Sequence, residues 1–235
     1  MPDSISRANI YEVGLERNGA NHMPLTPLSF LRRAAHIYPD RIAWKHTTEQ
    51  GTRQVTYSDF HKRVTQFASA LSAQGITAGD TVTIMAPNIP AMLEAHYAVP
   101  MTGAVLNALN TRLDPANIAF ILDHAETKIL ITDRSFSGVI SEAIKLLESS
   151  IIVIDVDDAP EEGGEFLGYI EYEDFLNTGN KHFEYTMPTS EWDAISLCYT
   201  SGTTGNPKGV VLHHRGAYLN SLGNALTWQL VDNPI

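Results

Sequence analysis

One cysteine, Cys198, stands among the 235 residues. A disulfide framework is excluded, and so is a zinc site built from clustered cysteines. No run reaches about 18 apolar residues, so no transmembrane helix is expected. Met1 to Ile10 is polar, carries Asp3 and Arg7, and lacks the apolar stretch of a signal peptide. Positive charge is scarce: 16 Lys and Arg face 27 Asp and Glu, a formal net charge of −11. The basic footprint of a nucleic-acid-binding protein is therefore missing. Only 18% of residues are charged, which argues against intrinsic disorder. What is present is core material: 43% hydrophobic residues, with 3 Trp, 9 Tyr and 8 Phe among them. A globular, cytoplasmic protein of one large or two small domains is expected.

The negative charge is concentrated. Asp155 to Asp193 holds 12 acids and a single base, Lys181. Taking these from the 27 acids and 16 bases leaves 15 of each, so this stretch carries the whole net charge. It reads as a solvated surface loop, with a surface for a basic partner as the alternative.

No repeat and no low-complexity tract is present. Helical and strand patterns alternate instead, which points to an α/β architecture. Thr26-Pro27 is a cap-then-Pro signature, followed by a Leu28, Leu31, Ala34, Ala35 stripe. Ser58 is a candidate cap for a second helix ending at Gly75. Thr81 to Ala86 reads as a strand, and Pro90 to Tyr97 as a helix closing near Pro100. Asp114-Pro115 repeats the cap-then-Pro signature. Lys128 to Thr132 and Ile151 to Ile154 are short continuous apolar runs, the pattern of buried parallel strands. Ile140 to Leu147 is the expected crossover helix between them. The rhythm from residue 81 to 154 predicts an open, doubly wound, mainly parallel sheet. Asp157 to Gly164 is a turn-rich break. Ala194 to Tyr199 then reads as a buried strand, with Cys198 an inert buried thiol. Val210 to Leu212 reads as another strand, and Arg215 to Leu226 as a helix. Residues 1–190 are expected to form a first subdomain and 191–235 the truncated start of a second. A half-built second sheet is expected to leave open edges and apolar surface.

Between the last two strands lies Tyr199 to Val210, YTSGTTGNPKGV. Gly202, Gly205 and Gly209 allow tight turns and close backbone approach. Thr200, Ser201, Thr203 and Thr204 place four hydroxyls within five residues. Backbone N–H groups in such a loop can converge on an anion, and Lys208 adds a positive charge. The composition is that of a phosphate cradle. It is neither the Walker A pattern nor the dinucleotide GxGxxG. A plain turn has no use for this set of side chains. The remaining candidates are weaker: His213 and His214 follow the second strand, as a substrate-facing pair or a strand-end pair. Seven further histidines show no metal-ligand spacing, and the acids no EF-hand pattern, so no protein-built metal site is expected.

The loop resembles the signature loop of the adenylate-forming superfamily, which includes acyl-CoA synthetases, peptide-synthetase adenylation domains and luciferases. The resemblance extends to Leu25–His46, Val55–Leu71, Gly79–Leu113 and Ile121–Asp133, in order. Val210–Leu222 looks most like the fatty- and small-acid CoA ligase branch. The resemblance implies the N-terminal domain fold of those enzymes. It also implies a two-step reaction: a carboxylate attacks the α-phosphorus of Mg-ATP, and CoA thiol then displaces AMP from the acyl-adenylate. Thr200, Ser201, Gly202, Thr203, Thr204, Gly205 and Lys208 would hold the ATP phosphates, and His214 would lie near the substrate. ATP, Mg2+ and CoA are the implied cofactor set, and a carboxylic acid the partner.

Later family motifs are missing before Ile235: an aromatic-and-His segment, a Tyr-Gly-x-Thr-Glu loop, a ribose-binding Asp, a hinge and a catalytic-Lys domain. The chain is thus expected to be an N-terminal portion that forms no acyl-adenylate alone. Two alternatives stay open: a peptide-synthetase-type adenylation domain, and a non-catalytic nucleotide-binding or scaffold fragment.

Overall fold

The computed structural model describes residues 11, 13–158, 163–200 and 206–230. In chain order they form α1 (Leu28–Ile37), β1 (Ile42–Thr48), β2 (Gly51–Thr56), α2 (Tyr57–Ala73), β3 (Thr81–Met85) and α3 (Pro90–Met101). Then come β4 (Val105–Ala108), α4 (Pro115–His124), β5 (Thr127–Asp133), α5 (Ser137–Ile144) and β6 (Ile152–Val156). Last are β7 (Ile170–Glu171), α6 (Tyr172–Asn177), β8 (Ala194–Thr200), β9 (Lys208–His213) and α7 (His214–Thr227).

Local chemistry sets the helix starts. Asp114 accepts the amide of Asn117 and Pro115 opens α4, as the sequence predicts. The cap of α2 is Thr56, two residues before the expected Ser58; its hydroxyl accepts the Asp59 amide at 3.1 Å. Gly75 follows the α2 C-cap at φ +85, a conformation that suits glycine. At α1 the Thr26 hydroxyl accepts the Leu28 amide, one residue inside the expected start. Helix α3 runs one residue past Pro100, which sits in the last turn and so breaks a single ladder bond.

Strands β1 and β2 form an antiparallel hairpin apart from the main sheet. The main sheet has the order β7-β6-β5-β3-β4-β8-β9. Every neighbouring pair is parallel except β8–β9. The strand order reverses at β3, the switch of a doubly wound sheet. Right-handed crossovers put helices of opposite travel on opposite faces. Accordingly α3 and α6, with α1 and α2, cover one face through Phe67, Leu71, Ala95, Phe175 and the inward strand residues Val82, Ile84 and Ile131. Helices α4 and α5 cover the other through Ile118, Leu122, Ile140, Met85 and Leu130. Ile129 and Ile131 face one cluster and Leu130 the other, the period-two alternation of a strand covered on both sides.

Four readings need correction. The acidic stretch is not one loop: Asp155 is buried at the end of β6 and accepts the amides of Leu167 and Gly168, and β7 and α6 are built from its middle. Tyr172, Phe175 and Leu176 supply the apolar face that a loop lacks. Strand β8 is half-exposed, because only Ile195 is buried along it. Cys198 is exposed for the same reason. And β8 pairs with β4, so residues 194–200 and 208–213 extend the first sheet. On α7, Leu219, Leu222 and Leu226 are exposed.

Candidate functional site

Strand β8 is parallel to β4, so Thr200 lies at the carboxyl edge of the sheet. This is the edge where open α/β sheets bind ligands. Strand β9 returns antiparallel and its first residue, Lys208, pairs with Thr200. The hairpin mouth thus sets a hydroxyl and an ammonium opposite each other, both exposed. Ser201, Gly202, Thr203, Thr204 and Gly205 lie outside the described residues.

The stem below the mouth is tightly specified. Tyr199 pairs with Gly209, and Leu197 and the tyrosine ring crowd the space a side chain at 209 would enter. A Cβ there would stand 3.0 Å from Leu197 Cδ1 and 3.2 Å from Tyr199 Cζ. The Tyr199 hydroxyl shares a 2.6 Å hydrogen bond with Nδ1 of His124, the last residue of α4. Partial burial pushes the Tyr199 phenol above its ordinary pKa.

The two histidines sit at the other end of β9. Six residues of strand and helix start separate His214 from Lys208, about 20 Å at strand rise. His214 is buried, and its Nδ1 lies 2.8 Å from the Thr26 hydroxyl. Burial lowers its pKa, with Asp193 opposing. His213 caps α7 by accepting the Gly216 amide at 2.8 Å and packs on Trp192. The structure therefore brings Thr200 and Lys208 together and sets His214 apart from them. Beside His214, Glu191 accepts the Leu25 amide and pairs with Arg215 at 2.5 Å.

Elsewhere, Trp44, Ile89, Leu93, Tyr97 and Ile195 line a mainly apolar cleft of about 550 Å³, unlike the polar hairpin mouth. Among the described residues no three His, Cys, Asp or Glu converge to hold a metal. No described helix is long and apolar enough to cross a membrane. The partners that sequence reasoning missed, His124 for Tyr199 and Thr26 for His214, are 75 and 188 residues away in the chain. No local pattern marks such pairs.

The sheet is that of an open α/β protein, with a hydroxyl- and lysine-bearing hairpin at its carboxyl edge. The chain belongs to the AMP-binding enzyme family, whose model matches residues 31–233. It is 44% identical over 228 residues to the peroxisomal acetate/butyrate–CoA ligase AAE7 of Arabidopsis thaliana, covering 92% of this chain and 39% of that protein. It is 43% identical over 233 residues to the acetate–CoA ligase CCL3 of Humulus lupulus, covering 94% and 40%. The peroxisomal trans-cinnamate:CoA ligase of Petunia hybrida is 40% identical over 237 residues, covering 94% and 41%. The chain thus spans about two fifths of the length of these relatives. Its fold matches a long-chain-fatty-acid CoA ligase structure from Rhodopseudomonas palustris with a TM-score of 0.73 at 22% identity, over 89% of this chain and 50% of that one. An acyl-CoA synthetase from Brucella canis matches at 0.70 and 21% identity, over 85% and 35%.

Proposed function

We propose that the chain supplies the phosphate-binding part of an ATP-dependent acyl-CoA synthetase. The observation that carries this is the pairing of Thr200 with Lys208 at the carboxyl edge of the sheet. In the proposed reaction a carboxylate oxygen attacks the α-phosphorus of ATP and pyrophosphate leaves. The CoA thiol then attacks the acyl carbonyl and AMP leaves. Lys208 balances charge on the departing pyrophosphate, and Thr200 with Ser201, Thr203 and Thr204 donates hydrogen bonds to the β- and γ-phosphates. In this reading Mg2+ enters with ATP, held by its phosphates.

The relatives are named as ligases of acetate, butyrate and cinnamate, which favours a CoA ligase over a peptide-synthetase domain and a small organic acid as substrate. The complete reaction is assigned to a protein of the relatives' length, and nucleotide binding to this stretch. Cytoplasmic residence competes with the peroxisomal residence named for two relatives. A fluorescent fusion in living cells separates the two.

The test is calorimetric titration of Mg-ATP and of pyrophosphate. Lys208→Ala is expected to weaken both by about tenfold or more, the loss of a charge-assisted contact. Unchanged affinity would remove Lys208 from the site, and no binding by the unaltered chain would remove the phosphate reading altogether.

A further inference from the structure

Strand β9 is exposed from Lys208 to Leu212, with only His213 half-buried. A strand with no buried face has little to hold its register, and a slip of one residue turns every side chain over. Strand β8 is itself joined to β4 at only two positions, Ser196 and Leu197. The three residues beyond, Cys198 to Thr200, carry the hairpin mouth past the edge of β4. Yet the mouth works only if Lys208 stands opposite Thr200.

Tyr199 is the side chain that reaches from this projecting stem to the rest of the fold. Its hydroxyl meets His124 Nδ1 at 2.6 Å, and the two rings are edge to face with centroids 5.8 Å apart. The His124 ring stacks on Phe120, 5.3 Å away. Both belong to α4, which is fixed to the sheet by buried Ile118, Ile121 and Leu122. The same tyrosine ring closes over Gly209. A slip in either direction would bring Lys208 or Val210 opposite Tyr199, where a Cβ would crowd Leu197 at 3.0 Å and Tyr199 at 3.2 Å and push one of those side chains aside.

We propose that His124 is a positioning residue: through Tyr199 and Gly209 it locks the β8–β9 hairpin in the register that sets Lys208 opposite Thr200. The inference rests on the phosphate-binding reading of that hairpin. His124 touches no phosphate itself. It fixes the tyrosine, the fixed tyrosine ring favours glycine across the ladder, and the lysine follows.

The only cysteine of the chain provides the reporter. Cys198 pairs with Val210 in the native register, so Val210→Cys places two thiols side by side. With oxidised glutathione this variant is expected to form an intramolecular disulfide quickly, as one thiol takes up glutathione and the other displaces it, read by intact mass as loss of both thiols with no glutathione adduct. Adding His124→Ala or Tyr199→Phe is expected to slow the closure. Without the reporter, the same two changes are expected to weaken Mg-ATP binding about three- to tenfold, the scale of one hydrogen bond. The thermal midpoint should hardly move, because the bond is exposed. His124→Gln, which keeps a side-chain hydrogen-bonding group, should recover part of both losses. Closure at the unaltered rate in the His124→Ala background overturns the register lock, whatever happens to affinity. Slowed closure together with an unaltered chain that binds no Mg-ATP keeps the lock and sinks the phosphate reading.

Discussion

His214 Nδ1 and the Thr26 hydroxyl lie 2.8 Å apart, both side chains buried, across 188 positions of sequence. The bond joins the start of α1 to the start of α7. Around it the His214 amide donates to the Asp193 carbonyl, Glu191 bridges Leu25 and Arg215, and Phe30 stacks on Tyr218 at 4.6 Å. His214, the substrate-facing candidate of the sequence, ties two helix ends together in the fold.

That tie makes stability depend on pH. Burial holds the His214 pKa below its ordinary 6.5, with Asp193 pulling the other way. The unfolded chain then binds more protons than the folded one as pH falls through 6.5 towards the folded value, so stability drops in that window. Urea unfolding at about pH 7.5 and about pH 5.5 should show a smaller loss for His214→Gln than for the unaltered chain. His61, also depressed by burial and by Arg32, acts equally in both proteins and cancels. Equal losses would show that His214 is not protonated on unfolding in this range.

The second prediction concerns Glu94. Its side chain is fully buried on α3 and takes a two-pronged contact from Arg63 at 2.6 and 3.1 Å. It also accepts the Tyr172 hydroxyl at 2.7 Å, and Arg63 reaches on to Glu173 at 2.7 Å. The group thus ties α2, α3 and α6. Burial beside Glu94 pushes the Tyr172 phenol well above its ordinary pKa, so it stays a donor. Glu94→Ala leaves Arg63 paired with Glu173 alone and the buried Tyr172 hydroxyl without its acceptor, and is expected to cost about 2–4 kcal/mol in denaturant unfolding. Lys62→Ala, which removes an exposed pair with Asp59, should cost less than about 1 kcal/mol. Comparable losses for the two would contradict the assignment.

A third prediction contrasts two glycines. Gly179, just past α6, lies so close to α2 that a Cβ would fall 1.9 Å from the Gln66 carbonyl oxygen. Backbone must move to admit it, so Gly179→Ala is expected to destabilise by about 1–3 kcal/mol. Gly138 in α5 has open space around it and a φ outside the left-handed region. Gly138→Ala should therefore stabilise by about 0.5–1 kcal/mol through helix propensity. Thermal melts of both variants against the unaltered chain decide the signs.

Much of the scaffold was legible because its signals are short-range. Asp114-Pro115 names its own helix start. The apolar runs at 128–132 and 151–154 are β5 and β6 to within a residue or two. Ser58 was misread because Thr56, with Asp59 three residues on, completes the better cap. Strand β7 and helix α6 were invisible: their acids dominate the local composition, while the Tyr172, Phe175 and Leu176 face makes sense only against α2 and β6.

By itself the sequence determined the alternation of strands and helices, the family, and the hydroxyl, glycine and lysine content of the loop. All of these follow from residue types at short spacing. Tertiary structure alone decided that β8 joins β4, that His214 turns inward to Thr26, and that Tyr199 leans on His124. Each depends on groups many tens of residues apart, and their meeting is set by strand order and by the hand of the crossovers.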